Sequence, residues 1–398
     1  MANDLTFNQL ATVLNAIVGQ ATGTTSIAVT DTSSFITAGQ EALKAGYDTL
    51  GTAISQVLSK TIFAVRPYSA RFKGLEMTAQ QYGNMTRKLS VIDKPFEDDV
   101  AIDPTLIVDN GSIDPFVINK PLVQQENFYG REVYKKALTI YDWQLDQAFT
   151  GPDQFASFVG MMMQNASDML EQARENTKRY TLVNLIGAII GNYSTNQQIK
   201  LVTEYNTYIG ASPAMTWAEI VADADHYQRF MRFAYARIAT VASLFTERSA
   251  KFHVSLPNKT IMRHTPYADQ RLYMLGQERY SMEAQVLADA FHDNYLTYAD
   301  VETVNFWQAI NTPDEINVTP SYLVTSGNDV GTIQKGAAVN QDGIFAVLMD
   351  RDACGVVQVN ERARTAYNAR GEYTNYFFSV CQQYFNSFTE NAVVFTLD

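Results

Sequence analysis

Four histidines, His226, His253, His264 and His292, are the side chains best suited to proton transfer or metal ligation in this chain of 398 residues. They fall on different predicted elements, and none lies at HExxH or another ligand spacing. His226 is the least ordinary, because it follows Asp223 and Asp225 in DADH; on one helix that grouping makes a solvated polar face more readily than a metal site. The acidic run Asp93, Glu97, Asp98, Asp99, Asp103, Asp109 and Asp114 lacks the EF-hand spacing and reads as a solvated face. Met161, Met162 and Met163 offer thioethers without His or Cys nearby, and helical burial explains Met162 better than a soft metal does. Cys354 and Cys381 lack CxxC spacing and are expected as free, buried thiols. GxxxxGK[ST], GxGxxG and GxSxG are all missing. The expected catalytic, cofactor-binding and metal residues are therefore none, and the chain is not expected to be an enzyme.

The balance of 30 basic against 42 acidic residues, net −12, argues against holding nucleic acid by neutralising phosphates, which needs clustered Lys and Arg. Candidates for such contact are Arg71, Lys73, Arg174, Lys178 and Arg179, but surface cations lying along apolar stems account for them equally well. MANDLTFNQL has no Lys or Arg before its apolar positions, so no secretory signal is expected. The most apolar run, Leu182 to Ile190, is far short of the roughly 20 residues a bilayer needs, so no membrane span is expected.

The elements that would position any site are uneven. Leu10, Val13, Leu14, Ile17 and Val18 mark a short amphipathic helix. Gln20 to Gly39 is Thr-, Ser-, Ala- and Gly-rich and reads as an arm or linker; a second helix is expected through Leu43, Tyr47, Leu50, Ile54, Val57 and Leu58. From Arg66 to Gly130 helical periodicity disappears and five prolines interrupt short extended segments, as in a long two-stranded excursion. Gly151-Pro152-Asp153 opens the clearest helix, 153–190, with Gly191 as its stop; about 38 residues at 1.5 Å each gives roughly 57 Å. The capping box TWAE, Thr216 to Glu219, should begin a helix reaching Phe245. KFHVSL, QRLYML and VETVNFW read as strands around the helical SMEAQVLADAF, and the chain closes in a mostly antiparallel sheet of IFAVLMD, CGVVQV, YTNYFFSVCQQYFNSF and AVVFTL. The aromatic strand is apolar on both faces, with Tyr376, Phe378, Val380, Tyr384 and Phe388 on one and Phe377, Cys381 and Phe385 on the other, so it is expected to be central and covered on two sides.

A large chain with an arm, a long loop, a spine helix and no active-site signature suits a subunit that works by assembling. Asn368, Arg370, Gly371, Tyr373, Asn375, Tyr376, Val380 and Gln382 form N-x-R-G-x-Y-x-N-Y-x-x-x-V-x-Q, followed by N-A-V-x-F at Asn391 to Phe395. This pattern resembles the major capsid proteins of small short-tailed double-stranded DNA bacteriophages. The DRD of Asp350 to Asp352, the V-L-A-x-A-F of Val286 to Phe291 and the D-x-x-L-x-x-A-F of Asp142 to Phe149 fit the same family in order. The resemblance runs from about residue 50 to the end and is dense in the last fifty residues.

The resemblance implies an α+β, HK97-like tailed-phage capsid fold: N-terminal arm and helices 1–66, extended loop 67–130, peripheral domain 131–214 with its spine helix, axial domain 215–342, and C-terminal strands 343–398 joining the two. It implies a structural virion protein that self-assembles into hexamers and pentamers around double-stranded DNA, without sequence-specific contact. The expected partners are further copies of itself, a scaffolding protein and a portal, with synthesis in the host bacterial cytoplasm. No cofactor is implied. Some relatives carry an immunoglobulin-like extension after the last strand, and the chain's stop at Asp398 leaves no such decoration domain expected. The alternatives are an encapsulin-like nanocompartment shell and an oligomeric enzyme with an inter-subunit site.

Overall fold

The computed structural model describes residues 7–23, 29, 31–46, 49, 53, 71–77, 86–92, 116, 118, 120, 122–257, 259–287 and 300–398. In chain order its elements begin with α1 (Phe7–Thr22), α2 (Thr32–Lys44), β1 (Glu76–Met77), β2 (Thr86–Val91), β3 (Val123–Phe128), β4 (Arg131–Tyr141), α3 (Asp142–Ala148) and α4 (Pro152–Asn192). Next come α5 (Ser194–Gln197), β5 (Gln198–Lys200), α6 (Leu201–Ile209), α7 (Trp217–Ala222), α8 (Ala224–Thr246), β6 (Gln270–Leu275), α9 (Gly276–Leu287) and β7 (Asp300–Val304). The rest is strand: β8 (Ile316–Val318), β9 (Ser321–Leu323), β10 (Ile333–Lys335), β11 (Val339–Gln341), β12 (Ile344–Asp350), β13 (Cys354–Asn368), β14 (Tyr373–Asn386) and β15 (Ala392–Thr396). Two compact units result, one of residues 1–83, 130–178 and 356–384, the other of residues 84–129, 179–355 and 385–398.

In the first unit, Leu14, Ile17 and Val18 of α1 and Phe35, Ala38 and Ala42 of α2 pack with Ile140, Leu145, Phe149, Tyr376 and Phe378 into one core. Helix α2 occupies part of the stretch expected as linker. Asp31 caps it, its carboxylate accepting from Ser34 N at 2.8 Å while Ser34 Oγ accepts from Asp31 N at 3.0 Å. Behind that cap the apolar residues recur at i, i+3 and i+7, a stripe too short to stand out from its Ser- and Thr-rich surroundings. Most of the helix expected through Leu43 to Leu58 falls outside the described residues.

The sheet of this unit has the order β1-β13-β14-β4. β14 is central, as expected, and pairs antiparallel with β4 from Tyr373↔Tyr141 to Gln383↔Arg131. Its cover is not two-sided. Thr374, Tyr376, Phe378 and Val380 are buried, whereas Tyr373, Asn375, Phe377 and Ser379 are half-buried. Asn375 and Ser379 break the apolar character of that second face; burial along β14 is continuous within this unit only from Val380 to Gln383. The turn between β13 and β14 depends on Asn368, whose Oδ1 accepts from Arg370 N at 3.1 Å and Gly371 N at 3.2 Å. A Cβ on Gly371 would overlap the Tyr373 ring, so the R-G of the motif is set by space.

In the second unit the sheet runs β5-β15-β12-β6-β7. Its centre is antiparallel, but both edge strands pair in parallel, β15 with β5 and β6 with β7. Every residue of β12, IFAVLMD, is buried, as a strand covered on both faces requires. Phe230, Met231, Ala234, Ile238, Val241, Ala242 and Phe245 give α8 the apolar stripe that packs with Leu272, Met274, Phe345 and Phe395.

Three expectations need correction here. The single helix from Thr216 to Phe245 is two: Asp223 is extended (φ −112, ψ 115) and its carboxylate accepts from Asp225 N at 2.9 Å and His226 N at 3.3 Å, capping α8 afresh. KFHVSL forms no strand, because Val254 N donates instead to Phe388 O at 2.8 Å and Leu256 makes only an isolated bridge with Lys259. Gly191 does not stop α4, which continues through Asn192. Gly187 and Gly191 are instead places of close approach, where a Cβ would come within 2.6 Å of Val318 Cγ1 and 2.8 Å of Val339 Cγ2.

Candidate assembly surface

Strands β2 and β3 form the two-stranded ribbon at the described ends of the long excursion, in the register Lys88↔Glu126, Ser90↔Gln124 and Val91↔Val123. Alternation sends Lys88, Ser90, Gln124 and Glu126 to one face and Arg87, Leu89, Val91, Val123 and Gln125 to the other. The polar face is the covered one. Ser90 and Gln124 are buried, whereas Leu89 and Val91 are each 64% exposed and Val123 55%. A half-exposed hairpin ordinarily does the reverse.

The polar face is covered by a network reaching to the segment after β14. Lys88 Nζ pairs with Glu390 Oε1 and donates to Ser387 Oγ at 2.8 Å. Arg263 joins the same carboxylate at 3.3 Å, donates to Ser90 Oγ at 2.7 Å, and reaches Thr389 O at 3.0 Å. Glu126 accepts from Ser387 Oγ at 3.1 Å and Thr389 Oγ1 at 2.6 Å. Phe128 packs on Phe385, ring centroids 5.1 Å apart. Buried polar groups are tolerable only when satisfied, and here each charge meets an opposite charge or a hydroxyl. Ion pairs and hydroxyls thus hold the ribbon while its apolar side chains face water, the arrangement of a surface awaiting a partner.

Nothing in the sequence reading singled out Lys88, Arg263, Glu126, Ser387, Thr389 or Glu390. The legible signal was the alternation in RKLSV and VQQENF, combined with the polar NSFTEN interrupting an apolar C-terminal sheet.

The sequence's chemical candidates are dispersed. Oη of Tyr205 lies 3.2 Å from His226 Nδ1 at the start of α8. His253 is buried, its Nδ1 3.1 Å from Asn391 Oδ1 and its Nε2 2.7 Å from Ile261 O; desolvation holds its pKa below the usual imidazole value. His264 is exposed. His292, the acidic run 93–114 and the side chains of Met161 to Met163 lie outside the described residues. Among the described residues no three His, Cys, Asp or Glu side chains gather to hold a metal ion, and none of the helices is long and apolar enough to cross a membrane. Cys354 and Cys381 are free and buried, and burial pushes the Cys354 thiol far up.

The spine cations differ from expectation: they do not lie along the surface. Arg174 pairs with Glu171 and Glu361, and Lys178 with Glu76; Arg179 donates to Phe306 O and stacks on that ring at 3.8 Å. All three are buried, which removes them as nucleic-acid contacts in the folded chain. Arg71 and Lys73 are exposed. The motif residues prove equally structural. Asn391 Nδ2 donates to Thr265 Oγ1 at 3.2 Å, and that hydroxyl donates to Asp350 Oδ2 at 2.7 Å, so the DRD and N-A-V segments meet in one buried network.

A unit of helices around a central antiparallel β14 and a second unit around β12 make up an α+β fold of the HK97-like tailed-phage capsid class, the class of the structures it is similar to. A capsid structure of Staphylococcus phage Andhra is similar at a TM-score of 0.54 and 12% identity, over 84% of this chain and 86% of that one. A chain from a structure of the head fiber and inner core protein gp22 of native bacteriophage P68 is similar at 0.54 and 11%, over 83% and 85%. No curated protein matches at a significant level. The model of the Phi29-like phage major capsid protein family matches residues 14–396, and the chain belongs to that family. Its role is therefore to form a phage capsid shell, and the family favours this over the nanocompartment.

Proposed function

We propose that the subunit closes into hexamers and pentamers by laying its extended loop, residues 67–130, over a neighbouring copy. The observation that carries this is the β2–β3 ribbon, clamped by Lys88, Glu126, Arg263 and Glu390 on its covered face and apolar on its exposed one. Residues 1–66 then serve as arm, 131–214 as peripheral domain, 215–342 as axial domain and 343–398 as the strands joining them. The shell encloses double-stranded DNA without reading its sequence, and the acidic balance of the chain, net −12, avoids the broad attraction that would resist a genome sliding in. A scaffolding protein and a portal take part in assembly, synthesis is in the host bacterial cytoplasm, and the chain acts by assembly rather than catalysis.

Deletion of residues 93–115 tests this reading. The shortened chain should stay folded and soluble, with an unchanged far-ultraviolet spectrum, and give no closed shells by negative-stain microscopy. Normal shells from the deletion would remove the loop as the inter-subunit element.

A further inference from the structure

One face of the β13–β14–β4 sheet is open and unusual in its charge. Strand alternation places Arg131 and Lys135 on it from β4, and Arg362 and Arg364 from β13. These four cations line a shallow hollow of about 310 Å³ together with Val133, Phe377, Ser379 and Cys381. The acids of the same strands, Glu132 and Glu361, alternate to the opposite face, where Glu361 is taken by Arg174. All four cations are exposed. Lys135 Nζ sits 4.4 Å from the Phe377 ring centroid, and among the described residues neither Arg362 nor Arg364 has a carboxylate partner. In a chain of net charge −12, β4, β13 and β14 place four positive side chains and, among the described residues of these strands, no acid on this face, a local reversal of sign.

We infer that this face receives the acidic segment 93–114 of a second copy of the chain. That segment holds seven carboxylates, Asp93, Glu97, Asp98, Asp99, Asp103, Asp109 and Asp114, against the single cation Lys94. The net charges, +4 on the sheet face and −6 on the segment (one Lys minus seven acids), are complementary, and the apolar Val133 and Phe377 between the cations suit the Pro, Phe and Ile interspersed among the acids. Opposed surface charges of this kind set register and partner choice more than raw affinity, and they weaken with salt. The inference rests on the proposed function above, since it names the surface a neighbour's loop would meet.

Native chemistry tests it. Shells assembled from a mixture of unlabelled and nitrogen-15-labelled chains are treated with a carbodiimide, which joins an amine to a carboxylate, and the linked peptides are weighed. Lys135 should be joined to a carboxylate of 93–114, with mixed isotope pairs marking links between chains; unmixed pairs only, or no such link, would overturn the assignment. The paired variant Arg362→Glu/Arg364→Glu should lower the yield of closed shells at least tenfold, and adding Glu97→Lys/Asp98→Lys/Asp99→Lys in the same chain should restore most of it. If the face variant closes shells at wild-type yield while the 93–115 deletion closes none, the loop is the assembling element and this face is not its receptor. Shells of normal yield that retain less DNA would assign the face to nucleic-acid phosphates instead, also against the proposal. A wild-type chain forming no shells under any condition would fail the shell reading itself.

Discussion

Arg174 and Arg362 belong to the same unit, one on α4 and the other on β13, and they meet opposite ends. Arg174 is buried and held between Glu171 and Glu361. Arg362 is exposed, on a sheet face to which the described strands bring no acid. A guanidinium that is desolvated must find its partner within the chain, because the penalty for leaving it bare exceeds what a single subunit can bear. One left in water has no such obligation, and its charge remains available to another molecule. The contrast separates cations that make the fold from cations that make contacts, a distinction that counting Lys and Arg in the sequence cannot draw.

The largest test of that contrast is Glu361→Ala. It leaves Arg174 with one buried partner in place of two, and should destabilise the first unit by about 3 kcal/mol, seen as a lowered denaturation midpoint. A midpoint within error of wild type would mean that the pair is not buried in solution.

Glu278 sharpens the comparison from the acid side. It is buried near the start of α9 without a cation; desolvation, aided by Asp314, pushes its pKa up to about 7, and its Oε2 lacks a hydrogen-bond partner. Because the folded pKa lies above the unfolded one, the contribution of Glu278 is fully present below the unfolded value and is lost as pH rises towards 7, where the unfolded chain has already ionised. Glu278→Gln should therefore flatten the fall in stability between about pH 4.5 and pH 7 and leave the variant the more stable form at pH 8, by about 3 kcal/mol at most. Parallel pH curves for the two proteins would contradict this.

The smallest effect belongs to the exposed cations. Arg362→Ala and Arg364→Ala should each change the stability of the isolated subunit by less than about 0.5 kcal/mol in denaturant titrations. A loss comparable to that of Glu361→Ala would erase the difference between the two classes.

Much of this architecture was legible in the chain. The spacing in α8, the Pro152 start of α4, the continuous apolar run of β12 and the turn at Arg370-Gly371 each follow from one local rule, and each lies where its rule puts it. What escaped was non-local. Asp223 ends one helix by its extended backbone and caps the next with its side chain, and periodicity alone runs through such a break. Gly191 carries the signature of a stop, yet it is required by Val339, far along the chain. The face of β14 that stays half open could not be known without β4 beside it and the helices behind. The clamp under the ribbon joins residues 88, 126, 263 and 390, whose separation hides their connection completely until the chain has folded.

That clamp has a consequence in entropy. Ile92 N donates to Leu122 O at 2.9 Å, so the two ends of the intervening chain are closed upon one another before any neighbour arrives. Bringing two distant points of a chain together costs entropy, and for these ends that cost falls when the subunit folds rather than when it docks. A neighbour that meets the exposed side of β2 and β3 therefore finds a surface already ordered, and none of that entropy is lost on association.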